Sequence, residues 1–332
     1  MNARLDVSVL SSVPMTADQL LSRVEAVMHR LVQTNSSNLL TNLNSPATKP
    51  STAVTAAVYH LQSGGRRIRA RLALHAGIAL GLSANNSVAL AAVAELLHNA
   101  SLAHDDLQDR DQYRRGVKTV WYAFGDNIAI CAGDLLLSAA YGALGDFIDV
   151  SEAQLLPSLL RLVQARTAVA IGGQCADIAF NIDQAAVSAH DIAAYKKIAI
   201  AKSGALLSLP LELALVGGGQ PEFTELARRA CEGFAIAYQI ADDLHDVAQD
   251  THSSDDQHTS LNAILVLRGC GHGQDSYRLA HEIALQHLSQ ADVAAAQLPN
   301  GMGSLLQEFV HELAGRLTSE LAQELAAEFA DK

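Results

Sequence analysis

Apolar residues recur along this chain at three- and four-residue intervals, and no stretch alternates apolar with polar over the length of a strand. Val93, Leu96, Leu97 and Ala100 are typical: together they form one stripe of a helix. Thr16-Ala17-Asp18-Gln19 has the form of a capping box and predicts a helix over 16–32. Residues 34–51, rich in Asn, Ser, Thr and Pro, read as a loop. Further helices are predicted up to about residue 62, over 69–80, from about 85 past 105, and over 126–147. Ser151-Glu152-Ala153-Gln154 is a second capping box, opening a helix to about 174. Helices over 189–202 and 204–216 are separated at Lys202-Ser203-Gly204. A long helix covers 222–247, and two more cover 275–293 and 303–330 after a break at Gly269, Gly271 and Gly273. Residues 1–15 carry no period and predict a loose tail ahead of a single all-α domain over 16–332.

Composition agrees with that reading. Alanine and leucine dominate, and both favour helix. With 332 residues, 49% of them hydrophobic, the chain has enough apolar surface for one large bundle. The net charge of −12 argues against a nucleic-acid partner and against an anionic membrane surface. Cys131, Cys175, Cys231 and Cys270 form no C-x-x-C pair and predict reduced, mostly buried thiols in a cytoplasmic protein. No basic segment followed by an apolar run opens the chain, so no signal peptide is expected. Apolar runs such as 206–219 are interrupted by Pro, Gly or Asp, so no membrane insertion is expected either.

One feature runs against stability. Asp105, Asp106 and Asp109 close a long apolar helical pattern. On a helix Asp105 and Asp109 share a face, with Asp106 beside them. The three carboxylates repel one another, and the C-terminal end of a helix disfavours anions. A single D-D-x-x-D is usually a solvated acidic face. Here it occurs twice, the second time as Asp242-Asp243-Leu244-His245-Asp246, also after an apolar helical run. Two such clusters suit Mg²⁺ bridged to phosphate oxygens. Arg114 and Arg115, just beyond the first cluster, suit phosphates as well.

With these motifs in order, the chain from about residue 60 to 250 resembles the trans-isoprenyl diphosphate synthases, or polyprenyl synthetases. Gly64-Gly65-Arg66-Arg67-Ile68-Arg69 is similar to the family's G-G-K-x-x-R, and His98 stands where the family has a Gln or His. Arg114-Arg115-Gly116 matches its R-R-G, Gly173-Gln174 with Asp177 its G-Q-x-x-D, and Lys202-Ser203 its Lys-Thr. Tyr238-Gln239-Ile240-Ala241-Asp242-Asp243 resembles its F-Q-I-x-D-D.

The resemblance implies an isoprenoid-synthase bundle around a central hydrophobic cavity, acting as a homodimer. It implies condensation of an allylic diphosphate with isopentenyl diphosphate. Asp105, Asp106, Asp109, Asp242, Asp243 and Asp246 would hold three Mg²⁺, with Mn²⁺ as a substitute. Arg66, Arg69, Arg115 and His98 would bind isopentenyl diphosphate, and Arg114 and Lys202 the allylic one. Gln239 and the carbonyls near Lys202 and Ser203 would face the carbocation, and the released diphosphate would take the final proton. Leu97, Ala100 and Ser101, before Asp105, would set product length; the small residues there favour twenty carbons or more.

The chain departs from the family pattern at two places. Thr251-His252-Ser253-Ser254-Asp255-Asp256-Gln257 lacks the usual Lys, and Ala70 replaces a Pro. His104 and His245 are expected beside the acidic clusters and not in a zinc site. Gly269-Cys270-Gly271-His272-Gly273 lacks G-K-[ST] and is no phosphate loop. Three other readings are weaker. An HD-type phosphohydrolase would not need the second cluster or the R-R-G. A terpene cyclase has no use for the Arg66, Arg69 and His98 group. A regulatory subunit of a heteromeric synthase would be expected to lose its aspartates, and all six are present.

Overall fold

A computed structural model describes residues 15–40, 52–147, 153–180, 189–250 and 261–330; within these, the side chains of residues 34–40, 189–190, 246–250, 274 and 324–330 are not described. The helices are α1 (Ala17–Leu40), α2 (Thr52–Gln62), α3 (Ile68–Ala79), α4 (Ala84–Gln108), α5 (Val120–Phe124), α6 (Asp126–Ala143), α7 (Leu156–Ala179), α8 (Ala189–Ala199), α9 (Ala205–Gly217), α10 (Thr224–Asp250), α11 (Ala263–Leu267), α12 (Ser276–Ala296) and α13 (Ser304–Ala330). The all-α expectation holds. Helix α4 lies along α6 and α3, and α10 lies along α12 and α9. Two apolar cores result. One joins α1, α4, α6 and α7 to Leu206, Leu209 and Leu213 of α9. The other joins the opposite face of α9, at Leu207, Leu211 and Leu215, to α10, α12 and α13.

The first capping box forms as read: Thr16 N donates to Gln19 Oε1 at 2.9 Å, and Gln19 N to Thr16 Oγ1 at 3.3 Å. Ser151 and Glu152 of the second lie outside the described residues, as do residues 1–14. Helix α1 runs to Leu40, past the predicted end at 32, because Ser, Thr and Asn are poor helix formers but no Gly or Pro interrupts 34–40. For the same reason α7 reaches Ala179. The predicted break at Lys202-Ser203-Gly204 is not a break. Residues 200–204 form a π turn between α8 and α9, and Gly204 keeps helical angles.

The sequence reading contained no strand, yet Tyr113–Arg114 (β1) pairs with Val117–Lys118 (β2). Arg115 and Gly116 both have positive φ, 54° and 76°, as a two-residue type I′ hairpin requires.

Of the four cysteines only Cys231 is buried; Cys131 and Cys175 lie on the outer faces of α6 and α7, and Cys270 is intermediate, so the expectation of mostly buried thiols fails. The membrane expectation also needs correction. The runs Asp126–Asp146 and Asp191–Gly217 are long and apolar enough to cross a bilayer, because Gly133, Gly204 and Pro210 do not interrupt them. The second is 72% buried, as a core helix is, but the first only 44%, and its exposed face carries Ile130.

Buried charges fasten the bundle. Glu212, fully buried on α9, accepts from Arg166 Nη2 of α7 at 2.9 Å and from Ser208 at 2.7 Å, with Arg228 of α10 at 3.4 Å. Glu95 on α4 accepts from the amide of Ala70 at 3.2 Å and lies 3.5 Å from Arg67. The N–H that proline would lack is therefore in use here.

Helix α7 meets the π turn at Gly173, where a Cβ would run into the backbone of Ala201 and Lys202. Gly173→Ala is therefore expected to destabilise the fold by about 1–3 kcal/mol through overpacking. A thermal melt that shows no loss would contradict this contact.

Candidate active site

Five elements converge on one end of the bundle: the last turn of α4, the β1–β2 hairpin, the end of α7, the π turn, and α10. Helix α4 brings Asp105, Asp106 and Asp109 there, with the i, i+1, i+4 spacing that puts Asp105 and Asp109 on one face. Asp106 is only 1% exposed; its Oδ1 accepts from Arg114 Nε at 2.5 Å, and its Oδ2 is buried with no hydrogen-bond partner among the described residues. Asp109 is exposed and Asp105 partly so. Burial pushes Asp105 up to about 6; Lys202 opposes that shift and Asp109 reinforces it. Asp106 and Asp109 are raised too, again first by burial.

Lys202, in the π turn, pairs with Asp177 of α7. Burial alone would lower its pKa, but Asp177, Asp105 and Asp109 hold it above the ordinary lysine value. Gln174, one turn before Asp177, donates to Gln108 of α4 at 2.9 Å. Asp177 thus anchors Lys202 over the first cluster.

The second cluster lies on α10. Asp242 is exposed there, whereas Asp243 is 5% exposed and engaged inside the protein. Its Oδ2 accepts from the Tyr195 hydroxyl at 2.7 Å and from Ala263 N at 2.8 Å, and its Oδ1 accepts from Gln239 Nε2 at 3.0 Å. Asn262 ties down the Asp243 carbonyl at 3.0 Å. Burial and then the nearby Asp243, to which it donates, drive the Tyr195 hydroxyl well above its usual pKa. The side chain of Asp246 lies outside the described set, as does the Lys-less stretch 251–257.

Opposite these carboxylates stands a group of cations. Arg115 donates to the Gly64 carbonyl, and its guanidinium fills the space where a Cβ on Gly65 would sit. Arg69 has a buried Nε with no partner among the described residues; burial lowers its pKa, with Glu95 and Tyr238 opposing. His98 is driven well below the usual histidine range by burial, then by Arg69, Arg115 and Arg114. His60, on α2, falls to about 4 by burial and then by Arg114, Arg115 and Arg67. Two histidines held neutral among arginines mark a pocket of uncompensated positive potential, suited to an anion.

Arg66 reaches outward instead, to Glu312 of α13, at 2.9 and 2.7 Å. Arg67 is structural: 7% exposed, it donates to the Leu61 carbonyl at 2.8 Å. Sequence reasoning missed Tyr195, Glu95, Asn262 and His60. Only His60 carried a signal, as a polar residue on the buried stripe of Val54, Ala57 and Leu61.

Below Asp105, Ala100 and Leu97 are buried, and the Ser101 hydroxyl donates to the His98 carbonyl at 2.9 Å. His104 leans on Gly133 of α6, 3.6 Å from Asp134. His245 turns outward, 3.5 Å from Glu320. Ser203 is half-buried in the π turn. Both histidines therefore lie beside the clusters, as expected.

Among the described residues no three His, Cys, Asp or Glu side chains converge into a ready-made metal cage. That suits Mg²⁺, which keeps several waters and takes one or two carboxylates together with substrate phosphates. The raised pKa of Asp105 and Asp109, both at least partly open to solvent on the same helix face, is what under-neutralised hard-cation ligands show.

The polyprenyl synthetase family profile matches residues 51–296. The chain is 31% identical over 205 residues to the short chain isoprenyl diphosphate synthase of Methanothermobacter thermautotrophicus, covering 61% of each protein. It is 36% identical over 183 residues to the (2E,6E)-farnesyl diphosphate synthase of Mycobacterium bovis, covering 54% of this chain and 48% of that one. The matched stretch thus spans about half to three-fifths of these relatives' length. In structure the chain is similar to a decaprenyl diphosphate synthase from Rhodobacter capsulatus: the TM-score is 0.70 at 20% identity, covering 91% and 99% of the two chains.

The raised Asp105 gives a stability prediction. Folded, this carboxyl stays protonated up to about pH 6; unfolded, it ionises near 3.8. The folded state holds the extra proton, so this group's contribution falls as pH rises from about 4 to about 6 and stays low above that. Without divalent metal, Asp105→Asn should melt above the wild type at pH 8, with the gap closing towards pH 4. Adding Mg²⁺ should raise the wild type's melting temperature more than the variant's. A variant that melts lower at pH 8 would refute this reading.

Proposed function

The chain belongs to the polyprenyl synthetase family, and from that premise we propose that it condenses an allylic diphosphate with isopentenyl diphosphate to give a longer trans-polyprenyl diphosphate. The observation that carries this reading is the pairing of two unlike anion sites. Carboxylates around Lys202 suit a diphosphate bound through metal; arginines around two neutral histidines suit one bound without it. A terpene cyclase would need only the first.

Asp105, Asp109 and Asp242, with Asp246 by resemblance, would hold Mg²⁺; Asp106 and Asp243 are tethered inside the protein and would fix the helix positions. Mg²⁺, when bound, supplies Lewis acidity to the departing diphosphate. Arg114 and Lys202 steady that diphosphate as the allylic C1–O bond breaks and the bond's electron pair leaves with it. Arg69, Arg115, His98 and Arg66 hold isopentenyl diphosphate so that its double bond attacks C1. The new tertiary cation then loses a proton to the released diphosphate. Gln239 donates its amide N–H to Asp243, which leaves its carbonyl oxygen to face the cation, beside the carbonyls at Lys202 and Ser203. We place the enzyme in the cytoplasm as a homodimer; the exposed Ile130 of α6 and Leu160, Ile171 and Ile178 of α7 support a second copy as partner.

Incubation with Mg²⁺, isopentenyl diphosphate and allylic primers of increasing length should give prenyl transfer, and no condensation with any primer would defeat the proposal. Asp242→Asn should lower turnover at least about 100-fold with the fold intact. A near-normal rate would remove the two-cluster clamp.

Small residues at Ala100 and Ser101 support a channel continuing past them towards Leu97, and a product of twenty carbons or more. Ala100→Phe should shorten the product, as read by mass spectrometry. Unchanged length would place the floor elsewhere, for instance on α6.

A further inference from the structure

We propose that Glu312 of α13 sets the affinity for isopentenyl diphosphate: its carboxylate holds Arg66 in the resting enzyme and is displaced when that diphosphate binds. This rests on reading Arg66, Arg69, Arg115 and His98 as the isopentenyl diphosphate site. Among the three arginines, Arg66 is the one that a carboxylate holds among the described residues; its Nη2 donates to both Glu312 oxygens.

The carboxylate is fixed and not on a loose tail. Phe309, one turn before it, Val310, and Leu313, the next residue, are buried in the second core, against which Ile68 at the start of α3 also packs. The Phe309 ring lies under both Arg66, at 5.9 Å, and Arg71, at 5.6 Å. Arg66, Glu312 and Arg316 line one small cavity of about 190 Å³ with Tyr238, the residue before Gln239. A diphosphate bridging Arg66 and the half-buried Arg69 must therefore take the guanidinium from Glu312 and then sit near an unpaired carboxylate. Both effects weaken binding.

Arg66 and Glu312 are 56% and 62% exposed, so the pair is screened by water and the effect is modest, up to about fivefold. Gln at 312 keeps the shape and removes the charge. Calorimetric titration with isopentenyl diphosphate should show Glu312→Gln binding about two- to fivefold more tightly than the wild type. The Michaelis constant for that substrate should fall while that for the allylic diphosphate stays unchanged. In an Arg66→Gln background, Glu312→Gln should have no further effect, a readout that mere structural disturbance of α13 would not give. Unchanged or weaker binding by Glu312→Gln, or a gain that persists without Arg66, overturns the proposal. Failure of the wild type and both single variants to bind isopentenyl diphosphate at all overturns the site assignment instead.

Discussion

The ion pair between Asp177 and Lys202 is what the rest of the site depends on. Three carboxylates at the C-terminal end of a helix, all with pKa values raised by burial, are a poor arrangement unless a cation is fixed beside them. A long flexible lysine does not stay in place unaided. Here the π turn sets where its stem begins, the close approach at Gly173 sets how far α7 stands from that turn, and Asp177 sets where the ammonium ends. The Gln174–Gln108 bond ties the same stretch of α7 to α4, so the carboxylates and their cation are referenced to one another. A regular α-helical continuation through 200–204 would shift this register. The π turn is thus part of the site.

The molecule carries excess negative charge overall, yet it keeps a pocket of positive potential beside a cluster of carboxylates. It does so by separation. Arg69 and Arg115 come from the first turn of α3 and the hairpin, beside His60 of α2 and His98, which lies about two turns before Asp105 on α4. Arg114, the neighbour of Arg115, meets Asp106 and still adds to the positive potential at His60 and His98. Arg114 ends β1 and Arg115 opens the turn at positive φ, so the two guanidiniums leave the hairpin towards different partners, one to Asp106 and one to the Gly64 carbonyl. That gives the hairpin its reason to exist in an otherwise helical chain.

Much of this was legible from the sequence where the physics is local. Helical period, the Thr16 capping box and the shared helix face of Asp105 and Asp109 follow from neighbours a few residues apart. What was not legible depends on contacts distant in sequence. Nothing near Ser203 and Gly204 announces that a π turn will absorb a residue where a helix was expected to end. Arg66, Arg67 and Arg69 look alike in the sequence, but the structure sends one to Glu312, one to the Leu61 carbonyl and one into the site. Tyr195, fully buried 48 residues before Asp243, leaves no trace in any spacing.

The two acidic clusters were legible as repeats, and the structure shows what is repeated. In both, the second aspartate is buried and bound by the protein: Asp106 by Arg114, Asp243 by Tyr195 and the Ala263 amide. In both, the first aspartate is turned about 100° round the helix from that anchor and is more open to solvent. An exposed carboxylate alone would be free to swing, and a helix end near solvent would be free to fray. Placing a tethered aspartate next to a presented one removes both freedoms, because the anchor fixes the rotation of the helix and the helix then fixes the direction of its neighbour. The adjacent pair is therefore a positioning device, and the doubled carboxylate in the sequence reflects geometry as much as charge.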